Sequence, residues 1–492
     1  MIVRRFFLFN LAGNILPVLV ALVAVPVIAA HAGVERLGAL GVVWGVVGYF
    51  GFLDFGLSRV VTRRVALAHE LGRLADELSE LRGFLWRRAG PAVVVLTLLL
   101  FAAKLPCAPY FPAGWLGTEL ARGWTAVVLC VPLTLMTNWL RGALEGVQRF
   151  ARVNLLRSVF GAWNYAAPAL IVLTVPTLDA MIAVICLGRF LAVLAHGWAC
   201  WRVERGMLFG PLPARLVHLP AFFREGGWMT VSNLVAPLMV YSDRFMLAAM
   251  VPASAVAWYV TSQEMLLRAL VLPAALAGVL FPRFSENAAE NVAEAQDAGK
   301  TGLYRHSVRL ISAIMLPICT LFGVLAYHAL RFWLGASFAL HSYRIVEIIS
   351  IGIFMNSIAH LPFARLQGAG RSHVAARIHL IQLPLYAAAL YAAVRAGGIE
   401  GAAWAWTVRV SIDCLAMMLT AAPEARFAAL PATAVGAVFL CCTAFLFGPA
   451  DGFSPQFAAT VAAIGLASLA LAWFGLLKRE DRMQLMGRRH AL

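Results

Sequence analysis

Apolar runs of about 20 residues, the length that crosses a hydrocarbon core, follow one another along this chain with short polar breaks between them, and about fourteen can be counted. The pattern predicts an all-α polytopic membrane protein with about 14 transmembrane helices. The first run spans Phe6 to Ala30, the second Leu37 to Val60 and the last Phe457 to Leu477. The break after the second run has a pattern of its own. Leu67, Leu71, Leu74, Leu78, Leu81 and Leu85 recur at alternating steps of four and three, with Arg73 and Glu77 on another face. This is an amphipathic helix, which either lies on the inner membrane surface or docks a partner enzyme of the same pathway.

The pattern also repeats. The glycine-rich stretch Gly48 to Ala66 and the stretch Trp258 to Glu286 each follow a long apolar helix and end at a basic edge. The breaks after them, Val61 to Arg88 and Pro282 to Arg309, are alike in length. Glu145-Gly146-Val147-Gln148-Arg149 and Gln367-Gly368-Ala369-Gly370-Arg371 close helices four and ten at the same offset, about 222 residues. Residues 1–205 (helices one to six) and 228–422 (seven to twelve) are therefore expected to form two six-helix lobes, joined by a linker at 206–227. Six is even, so both copies enter from the same side, and the pseudo-two-fold axis lies along the membrane normal. Residues 423–492 carry two further helices and a basic tail. A membrane chain built as two similar halves places a transport path between them.

Composition agrees: 62% of residues are hydrophobic, 13% are charged, and the mean hydropathy is +0.81. This excludes a soluble protein. The net charge of +16 raises nucleic-acid binding, but the basic residues follow topology. With Arg4 and Arg5 inside, about 27 of the Lys and Arg fall in cytoplasmic segments and about six near the outer side. Topology and attraction to anionic lipid account for the charge, and no nucleic acid is implied. Both termini are expected in the cytoplasm. The opening resembles a secretory signal, but its apolar run is too long and holds Asn10, Asn14 and Pro17, so it reads as the first spanning helix. The eight cysteines form no metal or disulfide pattern, and neither a metal site nor a cofactor is expected. Gly41 with Gly45, and Gly397 with Gly401, have the small-xxx-small spacing of close helix packing.

Four blocks together carry a family resemblance: Tyr49 to Ser58 (YFGFLDFGLS) with Thr62-Arg63; Asn14; Glu145-Gly146 with Arg149-Phe150 and Asn154; and Tyr241 to Leu247 (YSDRFML). They resemble the polysaccharide-transporter branch of the multidrug, oligosaccharidyl-lipid and polysaccharide exporter superfamily, whose bacterial members include the Wzx-type oligosaccharide flippases. The resemblance covers about the first 420 residues. It implies a two-lobed helical transporter of the bacterial inner membrane that moves undecaprenyl-diphosphate-linked oligosaccharide from the inner to the outer leaflet, among membrane lipids and other glycan assembly proteins. The coupling ion and the glycan are not implied.

A path for a diphosphate needs cations at depth. Arg189, Arg268 and Arg409 fall near the middle of helices six, eight and twelve, while Arg59 and Arg141 lie nearer the inner boundary. Each deep charge costs at least about 2.5 kcal/mol, and the planar fork of arginine suits a diphosphate. The competing account is intrahelical pairing: Glu264 precedes Arg268 by four residues, Asp413 follows Arg409 by four, and Glu145 follows Arg141 by four. Arg189 has no such carboxylate. Asp54 and Asp243 either carry a proton or sodium ion or pair with nearby arginines, for Asp54 with Arg59 or Arg63 and for Asp243 with Arg244 or a facing helix. Asn10, Asn14 and Asn233 either line a sugar path or bond helix to helix.

Three functions compete: lipid-linked oligosaccharide flipping, cation-coupled export of a drug or small solute, and a membrane glycosyltransferase or polymerase. The exporter would call for an acidic cavity, whereas helix one has only asparagines and the deep charges lean positive. The enzyme would need a sizeable extramembrane segment, and the outer loops are short. The charge pattern sets a topology test. Reporters fused after Arg88, Arg309 or Leu492 should read as cytoplasmic, and those within Pro176 to Asp179 or Gly448 to Ser454 as external. An external reading at the carboxyl terminus would mean an odd number of spans.

Overall fold

A helix satisfies its own backbone hydrogen bonds, which lipid cannot, so the apolar runs appear as helices. The computed structural model describes residues 2–52, 57–107, 114–203, 235, 237–277, 294–369, 371–421, 430–449 and 452–485. Among these residues, eight helices are long and apolar enough to cross a membrane, and shorter apolar helices occupy Gly90–Pro106 and Leu430–Thr443. The protein is an all-helical, multi-span membrane protein. Its chain divides into two compact units, Met1–Ala257 and Trp258–Leu492.

The first unit holds α1 (Ile2–Ala32), α2 (Val34–Phe52), α3 (Leu57–Glu70), α4 (Leu74–Phe84), α5 (Gly90–Ala102), α6 (Trp115–Gly146), α7 (Phe150–Ile171), α8 (Leu178–Val203) and α9 (237–250). Helix α6 is the hub, packed against α2, α3, α5, α7 and α8, while α1 lies along α7. One carboxylate ties three helix ends together. Glu119, almost fully buried in the first turns of α6, accepts 2.8 and 2.6 Å hydrogen bonds from Nε and Nη2 of Arg36 in α2. It also accepts a 2.8 Å bond from the backbone N–H of Leu178 at the start of α8. Trp115 covers the Arg36 guanidinium at 4.2 Å. Removing one member of such a buried pair costs about 3–5 kcal/mol.

The leucine stripe after helix two departs from expectation. It is two helices, because Gly72 turns the chain at φ +66° between α3 and α4. Nor does it lie wholly on a surface. Leu67 and Leu71 are exposed, but Leu78 and Leu81 pack with Val65, Leu144, Val153 and Cys200 in the core of this unit. A five-residue π-helical stretch, Leu85–Ala89, links α4 to α5.

The second unit begins within α10 (Ala253–Leu267) and holds α11 (Glu294–Val324), α12 (Ala326–Leu334), α13 (Ala336–Gly368), α14 (Ser372–Ala421), α15 (Leu430–Thr443), α16 (Pro455–Ala470) and α17 (Arg479–Leu485). The long α13 is the centre, packed on α11, α12 and α14. Its Gly352 is required by contact: a Cβ there would lie 2.5 Å from the Trp406 ring. Helix α14 is two expected spans joined at a break where Gly398 takes φ +55°. Across this turn Gly401 packs closely against the Ala393 backbone, and Gly45 packs closely against Arg244 and Tyr241.

The tail is fastened to α11. Asp481 of α17 accepts hydrogen bonds of 2.6 and 2.9 Å from Arg309, 2.6 Å from Nδ1 of His306 and 2.9 Å from the backbone N–H of Lys478. Burial works to raise the Asp481 pKa, but these donors outweigh it and hold the carboxyl well below the usual range. A lowered folded pKa stabilises above the ordinary value and is lost as pH falls through the depressed one. Asp481→Asn should therefore lower the melting temperature of the detergent-solubilised chain at neutral pH. The gap from wild type should narrow only as the pH drops below about 4. A gap that does not change with pH would mean the carboxylate charge does not fasten the tail.

Candidate functional site

Deep polar side chains of the first unit gather where α6, α7 and α8 meet. Arg141 and Glu145, one turn apart on α6, pair at 3.6 Å. Arg157 of α7 lies within electrostatic reach of both and donates a 2.5 Å hydrogen bond to Oδ1 of Asn154. His196 of α8 is buried; its Nδ1 shares a 2.8 Å hydrogen bond with the Ala192 carbonyl oxygen, which can only accept, so Nδ1 carries the proton. The charge of Arg141 reaches this ring. Arg141 and Arg157 thus both lie within electrostatic reach of Glu145.

Arg189 stands seven residues before His196 on α8, two turns along nearly the same face and about 10 Å away. Its charge lies near Cys130 of α6 and Tyr165 of α7. Among the described residues, no carboxylate pairs with it. Tyr165 in turn packs on Trp44 with ring centroids 5.0 Å apart. Arg189, Arg141 and Arg157 therefore place positive charge along one three-helix seam, with the His196 ring beside it.

In the second unit the sequence candidates separate. Arg268 is paired with Glu264 at 3.1 Å, as the strut account requires. Arg409 is not paired with Asp413: its guanidinium lies over the Tyr386 ring at 5.3 Å, and the Asp413 carboxylate faces Nε2 of His379 at 3.4 Å. A ring face attracts the cation without cancelling its charge. Back in the first unit, Asp243, fully buried on α9, accepts a 2.8 Å hydrogen bond from the backbone N–H of Arg244. The Arg244 guanidinium lies over Tyr241 at 5.0 Å. Asp54 and Asn233 lie outside the described residues, and so do the side chains of Asn10, Asn14 and Arg59.

Sequence reasoning passed over Arg157, His196 and Glu347. Helix α7 begins at Phe150, which puts Arg157 two turns inside it. Glu347 is fully buried in α13, bonded to Arg344 at 3.0 Å, with its Oε1 lacking a partner among the described residues. The sequence signal for all three was the same: a titratable residue within an apolar run.

Residues 3–288 match the model of a family described as polysaccharide biosynthesis protein. A Shigella flexneri protein assigned by name as an O-antigen transporter is 29% identical over 412 residues, covering 83% of this chain and 94% of that protein. Among solved structures, the lipid II flippase MurJ in its inward closed conformation is similar with a TM-score of 0.70 at 11% identity, covering 98% of this chain and 99% of that one. An inward-facing multidrug resistance transporter of the MATE family, in the MOP superfamily, is similar with a TM-score of 0.63 at 14% identity, covering 90% and 100%. These structural likenesses establish a MurJ- and MATE-like fold and nothing finer. The family match extends over more than half of the chain, and this protein belongs to the polysaccharide biosynthesis protein family.

Proposed function

We propose that this chain is a flippase that carries a diphosphate-linked oligosaccharide on a polyprenyl anchor, of the O-antigen type, from the inner to the outer leaflet of the bacterial inner membrane. It is a transporter and not an enzyme. The observation that carries the substrate chemistry is the positive charge of Arg141, Arg157 and Arg189 on a membrane-spanning seam, with Glu145 within reach of the first two. A diphosphate headgroup supplies the missing negative charge, and arginine keeps its own charge on burial. The Shigella flexneri relative's name supports the same substrate class.

The mechanism follows from two lobes of helices one to six and seven to twelve, with both termini in the cytoplasm. Arg141 and Arg157 receive the headgroup at the inner end of the seam, and Arg189 holds it deeper as the lobes rock. The anchor stays in lipid. Arg409, over Tyr386, offers a further uncancelled cation in the other lobe, while Arg268 is a strut. The carboxylates Asp243 and Asp413, the latter facing His379, are the candidates for ion coupling.

Deleting the gene should leave lipid-linked glycan on the cytoplasmic side and remove one surface polysaccharide. Normal surface glycan together with sensitivity to a range of cationic drugs would favour the exporter instead. Arg189→Ala should abolish export while membrane abundance stays near wild type, because it removes a costly charge. Arg189→Lys should keep partial activity, since a point charge attracts phosphate without the paired fork. An abundant and fully active Arg189→Ala protein would refute the assignment. Arg157→Ala should lower export at least about tenfold, the cost of one charge-assisted hydrogen bond of about 1.5–3 kcal/mol.

A further inference from the structure

No spacing in the sequence pairs its cysteines, but the fold brings two of them together in the seam. Helices α6 and α8 pack side by side and run from the same end, where Glu119 in the first turns of α6 accepts the hydrogen bond of the Leu178 N–H at the start of α8. One turn on, Gly123 of α6 lies against α8: a Cβ there would stand 2.8 Å from Cδ1 of Ile182 and 3.4 Å from the Cα of Asp179. Seven residues make two turns and return to nearly the same face. Seven steps from Gly123 and from Asp179 lead to Cys130 and Cys186. Their thiols share a hydrogen bond across the two helices. Both thiols are free; Cys130 is fully buried and Cys186 partly exposed.

Other cysteines are placed differently. Cys200 donates its S–H to the Leu140 carbonyl oxygen at 3.4 Å, and Cys414 to the Met418 sulfur at 3.8 Å. Cys441 and Cys442 are exposed, but successive positions of one helix point about 100° apart. Two thiols in contact can hold a soft metal ion or be oxidised to a disulfide. The charge of Arg189 lies near Cys130 and decides between them. It repels a metal cation and attracts a sulfur anion, the form that attacks an oxidant.

We propose that Cys130 and Cys186 are a peroxide-sensitive dithiol that closes into a disulfide between α6 and α8. The partly exposed Cys186 sulfur attacks hydrogen peroxide, a small neutral oxidant; the O–O bond breaks, Cys186 becomes a sulfenic acid and one water leaves. The Cys130 sulfur then attacks the Cys186 sulfur. An S–S bond forms, the S–O bond breaks, and the hydroxyl leaves with the Cys130 proton as a second water. Two thiols and one peroxide thus give one disulfide and two waters. The bond ties α8 to α6 one turn from Arg189, and so fixes the seam at the depth where that arginine holds the headgroup. This effect on transport rests on the flippase reading; formation of the bond does not.

The test treats the purified full chain in detergent with hydrogen peroxide, alkylates the remaining thiols and maps the peptides by mass spectrometry without reduction. Wild type should yield a cross-linked peptide joining Cys130 to Cys186, lost in Cys130→Ser, in Cys186→Ser and on treatment with dithiothreitol. Alkylated Cys130 and Cys186 in peroxide-treated wild type, or a bridge from either to a different cysteine, would overturn the pair. In liposomes, cross-linked wild type should lose flipping and regain it with dithiothreitol, while Cys186→Ser keeps its rate through the same treatment. Cross-linked wild type that flips at its untreated rate would overturn the effect on transport. Untreated wild type that does not flip would overturn the flippase reading alone, because the peptide map does not depend on transport. Should a serine variant fail to fold, wild type against its own dithiothreitol-reduced sample carries the comparison.

Discussion

Hydrocarbon offers a charge no partner, so every arginine placed within a span must find one from protein, and the choice of partner decides what the arginine can still do. A carboxylate cancels it. Glu264 does so for Arg268 at 3.1 Å. An aromatic ring acts differently at Arg409 over Tyr386. A ring face stabilises the cation by a modest amount and leaves its field in place. Arg189, near Tyr165 and Cys130, likewise has no pairing carboxylate among the described residues.

That division links the fold to the proposed chemistry. The ion pair that fixes the architecture, Arg36 with Glu119, stands at helix ends and is closed by a backbone N–H, so its charge is consumed by structure. Asp481 with Arg309 is consumed in the same way at the tail. The seam of α6, α7 and α8 instead concentrates positive charge around Glu145. Gly188 lets α8 pack against Trp163 of α7, and Gly123 lets α6 approach Ile182 of α8, because neither leaves a side chain in the way. Close packing is what allows arginines from three helices to share one seam.

Much of this was legible in the sequence. Run length gave the helices, and the LDFG block with its companions gave the family. Arg189 stood out because no carboxylate lies four residues away. What the sequence left open were relations between helices. Arg36 and Glu119 are 83 positions apart, and Arg309 and Asp481 are 172 apart. No local spacing announces either pair. The Arg409–Asp413 spacing suggested a strut, but three-dimensional packing brought His379 to the carboxylate and Tyr386 to the arginine. The leucine stripe had the right period for one helix, and a single glycine at positive φ divided it.

The central claim is that this protein moves an anionic, diphosphate-linked glycan across a bilayer. The most direct measurement is reconstitution of the purified chain into liposomes bearing polyprenyl-diphosphate-linked oligosaccharide in the inner leaflet. Appearance of glycan on the outside is then followed with a membrane-impermeant glycosidase. The account predicts protein-dependent exposure of the glycan that stops when the diphosphate is replaced by a neutral linkage. Exposure at the rate of empty liposomes, or equal transport of the neutral analogue, would contradict it.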